Sequence, residues 1–375
     1  MLKLLPKIFF TCGLLFLLTG NNNAVIEIPG WVVGKIKTMT LKEKIGQMFM
    51  VDVEGQDFDE NMKLFLSEGY FGGVILFASN LESTEQTKIL IKEMQTNAIT
   101  TTGIPLLVSV DQEGGLVNRL GSITTYKSME HSARTIGRLY NYSPKKAGRL
   151  VNRVTRKIAL RMKNLGFNMN MAPVLDLTDN KDNYIYDRSY GNDPRNVSKI
   201  AEAYIKVMHS NGIATTGKHF PNLGKTVVDT HKRLATLNRS LQELTKHEFR
   251  PFMRLKNDLS AIMVGHIMVP SIDSELPSSI SKKTITLLRN KIGFKGVIVS
   301  DDIKMGALSN NLTYDEIVLK AVEAGIDLII MAWDKDKKTD ALKVLESAVL
   351  NGVISKERID SSVERILLMK HKFAN

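Results

Sequence analysis

Between residues 48 and 332, short apolar runs alternate with longer stretches in which apolar residues recur every three or four positions. The short runs fall at 48–53, 73–77, 105–110, 167–173, 213–218, 261–265, 297–300 and 328–332, and each predicts a strand. Helical spacing marks 85–97, 147–165, 197–210, 241–257 and, after the last run, 339–351. Strand followed by helix, repeated eight times, predicts an α/β chain with a parallel sheet, and in this length the economical closure is a single (β/α)8 TIM barrel. A doubly wound open sheet is the competing architecture. It usually carries a glycine-rich phosphate turn after its first strand, and none is present.

In such a barrel the chemistry gathers where strands end and loops begin. The third strand ends at Asp111, followed by Gln112, Glu113, Gly114, Gly115 and Arg119. The fourth leads through Asp176 to a loop with Asp187, Arg188 and Gly191. Strand five ends in Lys218 and His219, strand six in His266, strand seven in Asp301 and Asp302, and strand eight in Trp333. Asp302 reads equally well as the N-cap of the next helix. The stretch GKHFPNLGKTVVDTH, residues 217–231, brings two histidines, Lys218 and Asp229 within fifteen residues. Asp229 and His231 stand two apart there, a spacing that lets a carboxylate accept from imidazole Nδ1–H and leave Nε2 for proton transfer. A solvated loop with incidental histidines would have the same composition.

Composition adds limits. The 375 residues are 43% hydrophobic, enough for a substantial core. The 51 basic and 39 acidic residues give a net charge of +12. Lysines lie beside acidic residues in the expected helices, as at 41–44, and no basic block is interleaved with aromatics. A lysine-rich composition therefore explains the charge better than a nucleic-acid site, and no nucleic-acid partner is expected. Residues 1–23 form a separate unit, with Lys3 and Lys7 before an apolar run at 8–18 and then Thr19, Gly20 and three asparagines. That is the pattern of a signal peptide or N-terminal anchor, so export to the periplasm or to the membrane is expected, with residues 24–375 as one domain. The one cysteine, Cys12, lies in this run. Cleavage would leave a chain without thiols, disulfides or cysteine metal sites.

The segments VDQEGGLVNRL, DRSYG, KHFPNLGKTVVDTH and VSDDIKMGAL, with GGVILFASN and MAPVLDL, resemble in order and spacing the single-domain β-N-acetylglucosaminidases of glycoside hydrolase family 3, bacterial enzymes that trim peptidoglycan fragments. The resemblance runs from about Thr40 to the C-terminus. It implies a (β/α)8 barrel, a retaining mechanism and removal of a terminal N-acetylhexosamine from a small carbohydrate. By position it implies Asp301 as nucleophile and His231 as general acid/base with Asp229 as its partner. Asp111, Arg119, Arg188, Lys218 and His219 would hold the sugar hydroxyls and the acetamido group. The chemistry is coherent: a retaining glycosidase needs one carboxylate to bond the sugar and one proton donor for the leaving oxygen, and an imidazole of pKa about 6.5 can be that donor.

The chain departs from the family motif, which reads KHFPGHG and then DSH. Asn222 and Leu223 replace the Gly-His pair, and Thr230 replaces serine. Asn tolerates a left-handed backbone, so the turn is expected to survive there, and the loop 222–228 is expected to close over bound sugar. Two other readings stay open: a phosphorylase on the same scaffold, since a neutral imidazole repels phosphate less than a carboxylate would, and a silent wall-sugar-binding protein. A metal hydrolase using Asp111, His219, His266 and Asp301 is disfavoured by Lys218 beside His219. No cofactor or metal is expected, His131, His209, His247 and His371 read as ordinary residues, and the protein is expected to be a monomer.

Overall fold

The computed structural model describes residues 28–123, 131–226, 228–332 and 335–374. The expected signal segment and Trp333 lie outside these residues. No helix among the described residues is long and apolar enough to cross a membrane.

Helices start where the chain offers a side-chain acceptor to the first free amides. Thr40 and Thr313 form capping boxes with Glu43 and Glu316, and Ser83 and Asp193 accept from backbone N–H groups one turn on. All eight expected strands form: β1 Phe49–Val51, β2 Gly73–Leu76, β3 Leu107–Val110, β4 Met169–Asn170, β5 Ala214–Phe220, β6 Ala261–Val264, β7 Val297–Ser300 and β8 Ile329–Met331. Each pairs in parallel with the next, from Met50 beside Gly73 to Ser300 beside Val264. β8 returns to β1 through Phe49 and Ile329, and the bridge between Val299 and Leu328 closes the ring. The strands are apolar because both faces are covered: side chains fill the barrel on one side and the helical layer covers the other.

Three local expectations change. β4 is shorter than 167–173 because Pro173 has no N–H for the ladder, although its carbonyl still accepts from Lys218 N–H at 3.1 Å. β5 is longer than 213–218, so Lys218 and His219 belong to the strand itself and inherit its rigidity. The single helix expected at 241–257 is two, Leu241–Lys246 and Arg250–Leu255, because Pro251 cannot donate to the preceding turn. The break is useful. Phe220, at the end of β5, lies 5.2 Å from both Phe249 and Phe252, centroid to centroid, so the aromatic cluster pins the strand end that carries Lys218 and His219.

Candidate active site

The loops after the strands surround a cavity of about 570 Å³ at the carboxyl-terminal mouth. Asp111, Arg119, Arg188, Lys218, His219, His231 and Asp301 all line it, together with Tyr184, Leu223 and Asp302. Asp229 stands behind His231 and reaches the cavity only through it. The chain thus brings every expected site residue to one place, from strands and loops up to nearly 200 positions apart in sequence.

The floor is a charge cluster centred on Glu113, which the sequence does not single out. Its carboxylate takes a two-pronged bond from Arg188, at 2.9 Å from Nε and 2.8 Å from the terminal nitrogen, and lies 2.7 Å from Lys218 Nζ. Lys218 also donates to Asp111 at 2.5 Å. Burial alone would raise the Glu113 pKa, but Lys218 and Arg188 outweigh it and hold the group far below the carboxylate range. Burial pulls Lys218 and Arg188 the other way, and the anions restore and raise both. The cations are therefore fixed, charged and aimed at the mouth. One local signal existed: Asp111 and Glu113 are two apart in extended chain, so they share a face. Replacing Glu113 with Gln leaves two buried cations short of charge, and an expected loss of about 3–5 kcal/mol in urea or thermal unfolding follows. An unchanged melting temperature would refute the central place given to this carboxylate.

Arg188 reaches the cluster because its loop is held tightly. A side chain at Gly137 would put Cβ 1.6 Å from the Tyr190 carbonyl, so only glycine lets the helix Ala133–Tyr142 press against this loop. Arg119 also lines the cavity, and its buried Nε has no hydrogen-bond partner among the described residues.

His219 is oriented by Asp176, fully buried, which accepts from its Nδ1 at 2.6 Å and also from the N–H of Leu223 at 2.6 Å. His266 lies behind the wall. Its Nδ1 meets Ser279 Oγ at 2.6 Å and its Nε2 donates to the Asp302 carbonyl at 2.8 Å, so both nitrogens are engaged. Asp111 is paired with Lys218 and both nitrogens of His266 are engaged, so two of the four residues of the metal reading already have other partners.

Asp301 follows β7, with its N–H anchored on the Val264 carbonyl at 3.0 Å and its carboxylate accepting from Asp302 N–H at 3.0 Å. Burial would raise its pKa, but the nearby His219 and His266, the Asp302 amide and Lys218 hold it below the ordinary value, so it is an anion at neutral pH. Asp302 differs. Burial, with added repulsion from Asp301 and Asp52, pushes it up to about 7, against the amides of Lys304 and Ala332 that its carboxylate accepts. It is therefore no helix N-cap, since the following short helix is preceded by Met305 and the side chain instead ties the turn to the end of β8. Because the folded pKa lies above the unfolded one, the native state binds the extra proton between about pH 4 and pH 7. The stability that Asp302 contributes is present below pH 4 and is lost as pH rises through 7. Asp302→Asn, neutral throughout, is expected to flatten that slope in melting temperature, and parallel curves for the two proteins would rule the assignment out.

The loop after β5 is tied down at both ends. Asn222 does not use a left-handed backbone, because Tyr70 is the only non-glycine with positive φ among the described residues. Instead its Oδ1 accepts from Gly224 N–H at 2.7 Å and Leu177 N–H at 3.2 Å, a side-chain turn in place of a backbone one. Leu223 is buried, facing the cavity between His219 and Gly265. Further on, Gly306 N–H donates to the His231 carbonyl at 3.1 Å and Ala307 N–H to that of Thr230 at 3.3 Å, so the turn after Asp301 docks against the His231 loop. His231 Nδ1 donates to Asp229 Oδ1 at 2.7 Å and its N–H to the same oxygen at 3.0 Å. Tyr184, also missed from sequence, meets the imidazole ring edge-on at 6.4 Å and bonds Thr230 Oγ1 at 3.2 Å. The imidazole lines the cavity and is still 62% exposed, with no hydrogen bond to Nε2 among the described residues.

A closed parallel barrel with its polar groups gathered at the carboxyl-terminal mouth defines a (β/α)8 enzyme. The model of the glycosyl hydrolase family 3 N terminal domain matches residues 40–369, and the chain belongs to that family, a glycoside hydrolase. It is 33% identical over 299 residues to a beta-hexosaminidase of Nitrosomonas eutropha, covering 79% of this chain and 84% of that one. Among solved structures it is similar to a glycoside hydrolase family 3 beta-N-acetylglucosaminidase from Paenibacillus sp. str. FPU-7, with TM-score 0.83 and 33% identity over 90% of this chain. This chain spans only 63% of that longer one. It is similar also to M tuberculosis LpqI, with TM-score 0.81 and 28% identity over 90% of this chain and 96% of the other.

Proposed function

We propose that the protein is an exported retaining β-N-acetylhexosaminidase that removes terminal β-linked N-acetylglucosamine from peptidoglycan fragments or chito-oligosaccharides. The observation that carries the reading is the shared cavity: an anionic Asp301 and an imidazole, held by Asp229 with Nε2 unengaged, line the same walls. Asp301 attacks the anomeric carbon as Nε2–H of His231 protonates the leaving oxygen. Water then enters, gives its proton to the same nitrogen and releases the sugar from Asp301. Asp111, Lys218, Arg188 and Arg119 supply charged donors and acceptors for the hydroxyls and the acetamido group, and His219 presents its Nε2 face. Relatives named beta-hexosaminidase and beta-N-acetylglucosaminidase support the choice of sugar.

The test uses aryl β-glycosides. The N-acetylglucosaminide should be cleaved far faster than the matching glucoside. Equal rates would remove the acetamido specificity, and no cleavage of either would favour a silent binder. Running the same assay in phosphate distinguishes the phosphorylase, which would release a sugar 1-phosphate in place of the free sugar.

A further inference from the structure

The net charge of +12 is not spread over the molecule. Between His131 and Leu175 the chain contains no acidic residue. The helix Pro144–Leu165, between β3 and β4, holds eight Lys or Arg in 22 residues and no Asp or Glu, even in its first turn. This corrects the expectation that basic residues are balanced by acidic neighbours. Other helices are balanced: Lys199 and Lys206 pair with Glu202, and Lys343 with Asp340.

This helix breaks each local charge rule. Lys145, Arg149 and Arg153 form a row of like charges four apart, and each adjacent pair weakens the helix. Lys145 and Lys146 lie at the positive end of its dipole. Lys145, Lys146, Arg149, Arg153, Arg156 and Lys163 are exposed and make no ion pair among the described residues. At 3.6 residues per turn these six fall within an arc of about 100°, along a helix about 33 Å long. Leu160, 49% exposed, lies near the middle of that arc. A solvated face would carry interleaved acids; the helix supplies none of its own, and so uniform a face is complementary to an extended anionic surface.

We infer that this flank of the barrel docks on a bilayer of anionic phospholipid. The helix packs its apolar face on the barrel and turns its cations outward on a convex surface, with Leu160 among them, which suits electrostatic attraction to an anionic leaflet. A nucleic acid would call for a concave path with aromatic platforms, and the arc carries no aromatic residue. The docking geometry suits the enzyme. The helix returns from the carboxyl-terminal end of β3 to the start of β4, so it runs along the barrel axis. Lying on that helix, the barrel opens its mouth sideways along the membrane rather than into it.

The experiment is co-sedimentation of the full chain with phosphatidylcholine vesicles, with and without phosphatidylglycerol, at low and high salt. The combined variant Arg149→Glu, Arg153→Glu and Arg156→Glu is compared with Lys291→Glu, Lys295→Glu and Lys356→Glu, which make the same charge change at exposed positions elsewhere. Wild-type protein should bind the anionic vesicles in a salt-sensitive way. The arginine variant should lose more than about ten-fold of that affinity and the lysine variant little. Both should hydrolyse a soluble aryl glycoside at the wild-type rate, which shows that they fold. The proposal is overturned if the arginine variant binds like wild type, so that another segment does the binding, or if both variants lose equally, so that only net charge matters. Tighter, salt-sensitive binding of a DNA duplex in the absence of vesicle binding would overturn it too.

Discussion

Asp301→Ala is expected to lower kcat on an aryl N-acetyl-β-glucosaminide by about 10⁴-fold or more, with the fold intact. The size follows from the role: without the carboxylate no covalent intermediate forms, and the other acids at the site are already engaged, Asp111 and Glu113 by Lys218 and Arg188. Asp302, the nearest alternative, is pushed up to about 7 and is occupied by the amides of Lys304 and Ala332. The barrel does not depend on the Asp301 side chain for packing, because the β7 end is held by backbone bonds to Val264 and Leu328. The melting temperature should therefore stay near wild type. A slow 5-fluoro N-acetylglucosaminyl donor, which keeps the acetamido group, should leave one hexosaminyl adduct, mapped to Asp301. An adduct on Asp302 or Asp111 would move the nucleophile, and wild-type turnover in the Ala variant would end the assignment.

His231→Ala carries the second large effect, and its signature is selective. Glycosides with poor leaving groups should slow by about 10²–10⁴-fold, because their oxygen must be protonated as the bond breaks. Activated aryl glycosides should be spared in the first step and then limited by the second, where the same imidazole activates water. A burst of aryl alcohol followed by slow turnover is the expected trace. Asp229→Asn keeps the geometry and removes the charge. Burial works to raise Asp229, but its bonds from His231 outweigh this and keep it anionic, so its loss removes the charge that orients the ring and should lower turnover by less than His231→Ala does while moving the pH optimum. An equal loss on good and poor leaving groups would take the acid/base role away from His231.

The apolar runs and the helical spacing between them are local properties. For that reason the eight strands, their parallel order and the barrel class were legible from residue order alone, as were the polar residues at the strand ends. Boundaries were less legible where proline removed a donor, at Pro173 and Pro251. The motifs placed Asp301, His231, Asp229, Asp111, Arg119, Arg188, Lys218 and His219, and the structure brings them to one cavity or its immediate support. What residue order could not decide is who holds whom. Glu113 meets Arg188 across 75 positions, and Asp176 meets His219 across 43. Such partners are chosen by barrel closure, which sets distant strand ends side by side, and no local pattern encodes that distance. The same holds for the Pro144–Leu165 helix. Its eight cations are plain in the sequence, but only the packed structure reveals that six of them are exposed and make no ion pair among the described residues.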